Sequence, residues 1–248
     1  VLESASFKKD ISGENPLEKM IKDGFLFIQN PSSALVPLIL NPKPGENILD
    51  MCSAPGSKTS YIAQLMQNKG RIVSVESVRS RMYKLLSVIK LLGVEIADIV
   101  LTDGRRYKPK DMFFDRVLVD APCSSEGRFT LAEEKSYCYW SMRKIKEMQH
   151  KQKGLLLNAG RALKPGGVLV YSTCTFSPEE NEGVVDWFLK KTSPMFQLEE
   201  IAFPQIERYP AIISWLGKHY NPEVKKCLRV LPDEIMDGFF IACFIKNG

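Results

Sequence analysis

The chain has 248 residues, of which 44% are hydrophobic and 25% charged, and a net charge of +5. This composition is typical of a folded globular protein and excludes disordered and fibrous classes, while the length favours a single domain of catalytic size. No apolar run approaches the roughly 20 residues that span a bilayer, and the N-terminal stretch lacks the apolar segment of a signal peptide, so we expect a cytoplasmic protein with no membrane association.

Strand-like and helix-like patterns alternate along the chain after a Pro- and Gly-rich segment that ends near residue 46. Strands are predicted at 47–52, 71–76, 97–103, 114–120 and 168–173, and helices at 57–68, 77–93, 142–162 and 177–191. Two late apolar runs predict further strands near the C-terminus. The alternation predicts a mostly parallel sheet that is covered by helices on both faces.

The polar motifs of the chain fall at or just after the carboxyl ends of the predicted strands. They occupy 50–59, Glu76, Asp103, 120–127 and 172–175. Ligands of open parallel sheets bind at this edge, near the point where the strand order reverses. We therefore expect one pocket to collect all of these motifs.

The six cysteines, at positions 52, 123, 138, 174, 227 and 243, give no sign of a metal site. They contain no CxxC pair, and His150 and His219 are the only histidines in the sequence. Reduced thiols are expected rather than a disulfide framework, because the chain shows no secretory signal. Cys138, Cys227 and Cys243 are expected to serve only as packing residues.

The stretch DMCSAPGSKT at 50–59 joins a strand to a helix through a loop that contains Pro55 and Gly56. Glycine lets the backbone approach a ligand closely, and a helix N-terminus offers unpaired amides. The stretch matches neither the dinucleotide motif nor the P-loop, so by itself it predicts only a small ligand at this turn. Glu76 suits a pair of ribose hydroxyls, because a carboxylate accepts two hydrogen bonds, and Asp103 suits an adenine amino group.

This stretch and three later ones, DAPCSSEG at 120–127, LKPGG at 163–167 and YSTCTFSPEENE at 171–182, resemble the RNA cytosine-5 methyltransferases of the Sun (nucleolar-protein) family, which use S-adenosylmethionine. The resemblance covers about residues 25 to 248. It implies a Rossmann-like α/β methyltransferase with a mostly parallel seven-stranded sheet, helices on both faces and an antiparallel last strand. It also implies a methyltransferase domain at 31–248, preceded at 1–30 by a short extension that is the remnant of an RNA-binding segment.

The resemblance further implies where S-adenosylmethionine binds. The cofactor would lie along the 52–58 loop, with Glu76 on the ribose, Asp103 near the adenine and Asp120 near the methionine end, and Arg81 matches a recurrent basic position of the family. The implied cofactor-binding residues are Cys52, Ser53, Ala54, Pro55, Gly56, Ser57, Lys58, Glu76, Arg81, Asp103 and Asp120.

Two cysteines at strand ends, Cys123 and Cys174, compete for one role. Carbon 5 of cytosine is a poor nucleophile, and addition of a thiolate to carbon 6 turns the ring into an enamine that can be methylated at carbon 5. Spacing alone does not assign the attack. The resemblance implies that Cys174 is the nucleophile and that Cys123 acts as base or in release. Asp120 is the candidate for activating the base, as a carboxylic acid that stays protonated beside ring nitrogen 3.

Basic runs at 79–84, 105–110 and 143–153 suit a polyanionic partner, although such runs are often only solvated helix faces. The candidates for contacts with phosphates are Arg105, Arg106, Lys108 and Arg128, and those for stacking on unpaired bases are Tyr107, Phe129, Tyr137, Tyr139 and Trp140. Two features depart from the usual pattern of the family, namely Ser57 and the basic SSEGRF stretch at 124–129. The second departure bears on the choice of RNA.

The expected reaction is methyl transfer from S-adenosylmethionine to carbon 5 of cytosine in RNA, with tRNA slightly favoured over rRNA. Two alternatives stay open: a DNA cytosine-5 methyltransferase that attacks through Cys123, and a non-catalytic RNA-binding or assembly factor on the same fold. A separate target-recognition domain does not fit in 248 residues, which weighs against the first. The presence of Cys174 and Asp120 weighs against the second. A monomer is expected.

Overall fold

The computed structural model describes residues 15–109, 113–203 and 206–248, so residues 1–14 of the expected N-terminal extension lie outside it. The α-helices are α1 (Pro16–Lys22), α2 (Pro31–Leu40), α3 (Ser57–Leu65), α4 (Arg79–Leu91), α5 (Met142–Ala162) and α6 (Glu182–Thr192). The strands are β1 (Asn47–Asp50), β2 (Arg71–Glu76), β3 (Ala97–Leu101), β4 (Phe114–Asp120), β5 (Leu163–Thr173), β6 (Phe196–Glu199), β7 (Ser214–Trp215), β8 (Lys218–His219), β9 (Leu228–Val230) and β10 (Phe239–Lys246).

The main sheet has the strand order β3-β2-β1-β4-β5-β10-β6, and β9 pairs with β10 beside this path. Strands β1 to β5 pair in parallel, whereas β10 runs antiparallel to both β5 and β6. The strand order reverses between β1 and β4, which is where ligands of such sheets bind. The predicted parallel sheet and its antiparallel last strand are confirmed. The two late apolar runs correspond to β9 and β10, and the strand that the sequence did not reveal is β6, which makes the described sheet eight-stranded rather than seven-stranded.

Helices cover both faces of the sheet. Adjacent residues of a strand point to opposite faces. Accordingly, Leu49 belongs to the buried cluster that contains Leu155 of α5 and Phe188 of α6, whereas the neighbouring Ile48 belongs to the cluster that contains Ile62 of α3 and side chains of α2. Full burial of one such side chain stabilises a fold by about 1.5–3 kcal/mol. Because both faces are buried, the central strands read as nearly continuous apolar runs.

Helix α2 lies in a segment for which the sequence predicted no helix. Its start carries the usual signals, since the Asn30 side chain accepts a hydrogen bond from the Ser32 amide at 3.0 Å and Pro31 occupies the first helical position. Pro37 lies inside the helix and obscured its pattern, because proline is uncommon there. The helix brings Ser33 to the carboxyl edge of the sheet.

Two elements begin five residues away from their predicted starts, whereas the other predicted boundaries differ by three residues or fewer. Strand β5 begins at Leu163 rather than at Val168, and the LKPGG stretch forms an irregularity in its pairing with β4 instead of a separating loop. Helix α6 begins at Glu182 rather than at residue 177. The cause of the late start is Asn181, whose side chain accepts from the Thr173 hydroxyl at 2.6 Å and donates to a loop carbonyl instead of capping the helix.

A buried ion pair joins the start of α6 to β9. Arg229 donates to both carboxylate oxygens of Glu182 at 2.6 Å, and the two side chains are 8% and 0% exposed. Arg229 also donates to the carbonyl of Phe176 at 3.2 Å. The pair therefore ties the loop that follows β5 to the C-terminal strands.

We expect the Arg229→Met variant to lose about 3–5 kcal/mol of unfolding free energy, because Glu182 is left charged and buried without its partner. The double variant Arg229→Met/Glu182→Leu should recover most of this loss, since no buried charge remains. Urea unfolding followed by circular dichroism measures both. The control Glu200→Ala removes an exposed pair with Arg208 and should change stability by no more than about 1 kcal/mol. Equal losses in the single and double variants would contradict this account.

Candidate active site

The carboxyl ends of the central strands open into a cavity of about 540 Å³, a volume suited to a small ligand. Nearly all of the site residues predicted from the sequence line it. They are Cys52, Ser53, Ala54, Pro55, Ser57, Lys58, Glu76, Arg81, Asp103, Asp120, Cys123 and Cys174. Gly56 is not part of the lining but forms the turn behind it. The structure thus brings the motifs to one place.

The two candidate thiols lie side by side. Strands β4 and β5 pair in parallel with Asp120 opposite Ser172, so the loops that carry Cys123 and Cys174 leave the sheet at neighbouring points. The two sulfur atoms are 3.3 Å apart. The Ser125 hydroxyl lies 3.7 Å from the Cys174 sulfur and 3.9 Å from the Cys123 sulfur, within hydrogen-bond reach of both.

The thiols differ in acidity. The pKa of Cys174 is lowered to about 7, first by a hydrogen bond from Cys123 and then by the Arg128 guanidinium, against the opposing effect of burial. The pKa of Cys123 is raised well above its usual value by the same hydrogen bond and by burial. Cys174 is therefore the more acidic thiol of the pair and is partly ionised near neutral pH, with Cys123 as the thiol that keeps its proton.

A buried carboxylate holds the Cys123 loop in place. Glu180 is 0% exposed and accepts hydrogen bonds from the Ser124 amide at 3.1 Å and from the Gln152 amide group at 2.7 Å. Gln152 also donates to the Pro122 carbonyl at 3.0 Å. Burial raises the pKa of Glu180, while these hydrogen bonds oppose the rise. The sequence interpretation missed both residues; the acidic pair within SPEEN was the only local signal for Glu180.

The cavity lining also holds an ion pair between Lys58 and Asp120. The ammonium nitrogen of Lys58 lies 2.7 Å from one oxygen of Asp120, and the Ser172 hydroxyl donates to the other oxygen at 2.8 Å. Lys58 also donates to the Ser33 hydroxyl at 2.6 Å and lies 5.4 Å from the centre of the Phe239 ring. The sequence interpretation expected Asp120 to stay protonated beside ring nitrogen 3, and the structure places this carboxyl in an ion pair with Lys58.

The loop after β1 turns at Gly56, which has a φ of +114° that favours glycine. A Cβ atom at this position would lie 3.0 Å from a methyl group of Leu85 in α4. Beneath the loop, burial raises the pKa of Asp50 to about 6, and the Thr59 hydroxyl donates to this carboxylate at 2.7 Å. Sequence reasoning missed Asp50, although it ends a strand as Asp120 does.

Glu76 and Arg81 form the next part of the wall. Glu76 ends β2, is 2% exposed, and accepts a hydrogen bond from the Val78 amide at 2.8 Å. A guanidinium nitrogen of Arg81 lies 3.6 Å from Glu76, and another donates to the Ala54 carbonyl at 2.8 Å. A carboxylate offers about four lone-pair sites, so Glu76 keeps acceptor capacity toward the cavity.

The predicted phosphate and base contacts lie in different surroundings. Arg105 pairs with Asp103 at 2.5 Å and lowers the pKa of that carboxyl, so two of its three guanidinium nitrogens already bond to a carboxylate. Arg106 and Lys108 are exposed, whereas Arg128 lines the cavity.

The predicted stacking residues are also divided between surface and core. Tyr139 is 86% exposed, and the indole N–H of Trp140 donates to Glu126 at 2.6 Å. The rings of Phe129 and Tyr137 lie 6.2 Å apart, so they pack on each other. Tyr107 packs against the buried core, unlike the others.

The described residues hold no group of three or more His, Cys, Asp or Glu side chains arranged to bind a metal ion. Within the same ranges, no helix combines the length and the apolar character needed to cross a membrane.

Comparison with known proteins places the chain in a family. A family model described as 16S rRNA methyltransferase RsmB/F matches residues 37–245. The tRNA (cytosine(49)-C(5))-methyltransferase of Pyrococcus abyssi is 43% identical over 223 residues, which cover 88% of this chain and 70% of that protein. The human tRNA (cytosine(72)-C(5))-methyltransferase NSUN6 is 40% identical over 188 residues, which cover 71% of this chain and 39% of the human protein.

Solved structures agree with these matches. The crystal structure of NSun6 from Pyrococcus horikoshii with SFG superposes with a TM-score of 0.79 and 33% sequence identity, covering 93% of this chain and 55% of that one. The chain therefore spans about half the length of this relative and 39% of the human one. The resemblance seen in the motifs is confirmed over most of the sequence, and the chain belongs to the 16S rRNA methyltransferase RsmB/F family.

Proposed function

We propose that this chain methylates carbon 5 of cytosine in RNA, with S-adenosylmethionine as methyl donor and Cys174 as nucleophile. The thiol pair carries the proposal: the sulfur of Cys174 lies 3.3 Å from that of Cys123, and the pKa of Cys174 is lowered to about 7. A thiolate beside a protonated thiol suits addition to a pyrimidine ring and later release. The names of the relatives, which specify carbon 5 of cytosine in tRNA, support the same reaction.

The loop end of the cavity fits S-adenosylmethionine. Helix α3 begins at Ser57 with no side-chain cap, so its first amides are available to a carboxylate, and Ser57 lines the cavity. The buried carboxylate of Glu76 suits two ribose hydroxyls. The relative solved with SFG, an analogue of this cofactor, agrees with the assignment. When bound, the cofactor supplies an electrophilic methyl group.

Attack begins with the Cys174 thiolate adding to carbon 6 of the cytosine ring, so that a carbon–sulfur bond forms and electron density moves toward ring nitrogen 3 and carbon 5. The Lys58 ammonium, which also lines the cavity, can donate a hydrogen bond where this negative charge develops. Asp120 keeps its role in activating the base, but as a carboxylate that orients Lys58 and can accept from the exocyclic amino group of the ring.

Release requires a base for the proton on carbon 5 and expulsion of the Cys174 sulfur. The hydrogen bond to Cys174 and the charge of Cys174 are among the causes that raise the pKa of Cys123. Both causes vanish once the Cys174 sulfur is bonded to carbon, so Cys123 loses its own proton to solvent more readily at that stage. The Cys123 thiolate then takes the proton from carbon 5 as the carbon–sulfur bond breaks, and the Cys174 thiolate is restored.

The contrast between the thiols weighs against the alternative in which Cys123 attacks, as it would in a DNA cytosine-5 methyltransferase, since the pKa of Cys123 is raised. The lowered pKa of Cys174 weighs against a non-catalytic assembly factor, which has no use for a thiolate.

We propose residues 31–248 as the catalytic domain and 1–30 as the extension that precedes it. Transfer RNA is the favoured substrate because the relatives described above act on tRNA by name. A cytoplasmic location and a monomeric state stay predictions.

We expect Glu76→Gln to weaken binding of S-adenosylhomocysteine by about 1.5–3 kcal/mol, roughly 10- to 150-fold in Kd, because the amide replaces one acceptor oxygen and removes the charge. Isothermal titration calorimetry on the full chain measures the change. Glu95→Gln, at an exposed position near the opposite edge of the sheet, is the matched control and should bind as the unchanged protein does. An unaltered Kd in Glu76→Gln would remove this residue from the site.

We expect Cys174→Ala to abolish both methylation and any covalent RNA complex, whereas Cys123→Ala should let a covalent complex accumulate, because attack proceeds but release does not. The assay uses unmodified tRNA transcripts with tritiated S-adenosylmethionine and denaturing gels. Cys138→Ala, at an exposed thiol outside the cavity, is the control. Full turnover by Cys174→Ala would contradict the assignment of the nucleophile. Unchanged methyl incorporation when uridine replaces the target cytosine would contradict the assignment of the base.

Alkylation of Cys174 by iodoacetamide, measured by mass spectrometry without RNA, should rise with pH through a midpoint of about 7. A lowered pKa means that the thiolate is present above this midpoint and is lost as the pH falls through it. Cys123→Ala should move the midpoint to higher pH, because it removes the hydrogen bond that lowers the pKa of Cys174 most. A midpoint for Cys174 at or above the value of about 8.5 for free cysteine would contradict the proposal.

A further inference from the structure

A short 3₁₀ turn, Glu126–Arg128, lies against the backbone of Cys174. The Gly127 amide donates to the Cys174 carbonyl at 2.9 Å, and the Gly127 carbonyl accepts from the Gly238 amide at 3.0 Å. A Cβ atom at Gly127 would lie 2.2 Å from the Gly238 carbonyl oxygen, so this close approach requires glycine. The turn is therefore held against the residue proposed as nucleophile, and Arg128 leaves it at the cavity.

The Arg128 side chain lines the cavity together with Cys123 and Cys174. Its Nε lies 3.4 Å from a carboxylate oxygen of Asp237, and the two side chains are 56% and 33% exposed. Asp237 is itself held by its amide, which donates to the Asn30 side chain at 3.2 Å. The Asp237 carboxylate thus orients the Arg128 guanidinium on the cavity wall. Their separation of 3.4 Å is longer than that of a close ion pair.

The charges around the two thiols are unequal. Lys58 and Arg105, two other cations of the cavity, lie 2.7 Å and 2.5 Å from carboxylates, which largely cancel their fields elsewhere. The carboxylate of Glu180 bonds to the amide next to Cys123 and acts on that thiol. Arg128 acts on Cys174, where Asp120 opposes it.

We propose that Arg128 is a positioning residue for this reaction: its guanidinium, carried on a turn that is held against the Cys174 backbone, supplies the positive charge that favours Cys174 over Cys123 as the attacking thiol. This role deepens the proposed function and rests on it, because only the proposed reaction requires one of the two thiols to attack a base. It also explains the basic residue by which SSEGRF departs from the usual family pattern, which the sequence interpretation had assigned to a phosphate contact.

The acidities agree with this geometry. Arg128 is the strongest charged group that lowers the pKa of Cys174, after the hydrogen bond from Cys123. In return, Cys174 is the largest cause of the raised pKa of Arg128, ahead of Asp237. Two groups that shift each other in this reciprocal way interact more strongly when both are charged.

The test measures alkylation of Cys174 by iodoacetamide as a function of pH, on the full chain without RNA or cofactor. We expect Arg128→Gln to move the midpoint to higher pH and to slow alkylation at pH 7, and Arg128→Lys to restore most of both, because the charge returns. Raising the salt concentration from about 0.01 M to about 1 M should slow alkylation of the unchanged protein at pH 7 and should not slow that of Arg128→Gln, since the charge that favours ionisation of Cys174 is absent there and Asp120 opposes it. Arg79→Gln, at an exposed position outside the cavity, is the control.

The outcomes separate this inference from the proposed function. An unchanged midpoint in Arg128→Gln, with methylation of RNA by the unchanged protein, would overturn the role of Arg128 and leave the function standing. A higher KM for RNA in that variant, with the pH profile of kcat unchanged, would assign Arg128 to a phosphate instead and equally overturn it. A shifted midpoint with no methylation of any RNA by the unchanged protein would support the charge effect and overturn the proposed function.

Discussion

The parallel pairing of β4 with β5 is the constraint on which the site depends. Asp120 pairs with Ser172 at the carboxyl ends of these strands, so the segments after them leave the sheet side by side. Cys123 and Cys174 follow shortly, and their sulfurs meet at 3.3 Å. A slip of one residue in this register would turn the strand-end side chains to the opposite face and separate the ion-paired wall from the thiols.

Once two thiols are this close, electrostatics determines their roles. They cannot both ionise easily, so the surrounding charges decide which one gives up its proton. Arg128 favours ionisation of Cys174, and Glu180 disfavours that of Cys123. The same coupling orders the proposed chemistry in time, because Cys123 becomes more acidic only after Cys174 has bonded to the base. The contact between the two sulfur atoms thus serves both the proposed attack and the proposed release.

Buried polar groups hold this arrangement in register. Three successive residues after β5 reach three different parts of the fold: Glu180 binds the Ser124 amide, Asn181 bridges the end of β5 to its loop, and Glu182 pairs with Arg229. Buried polar groups destabilise a fold unless each one is satisfied, so this segment tolerates little rearrangement. The loop carrying Cys174 is consequently fixed from several directions. Helix α6 begins only at Glu182, after Glu180 and Asn181 have bonded to groups outside the helix.

The alternation of strands and helices in the sequence was enough to predict the sheet, because burial on both faces leaves a continuous apolar run in each central strand. Local motifs likewise predicted the loop at 52–58 and the two thiols. Helix α2 was missed since Pro37 interrupts its pattern, and Glu180 was missed since its partner Ser124 is distant along the chain. The sequence by itself determined which residues reach the carboxyl edge of the sheet. Only the tertiary structure decided that the two thiols touch and that Asp120 pairs with Lys58, because these contacts join groups that the chain brings together from far apart.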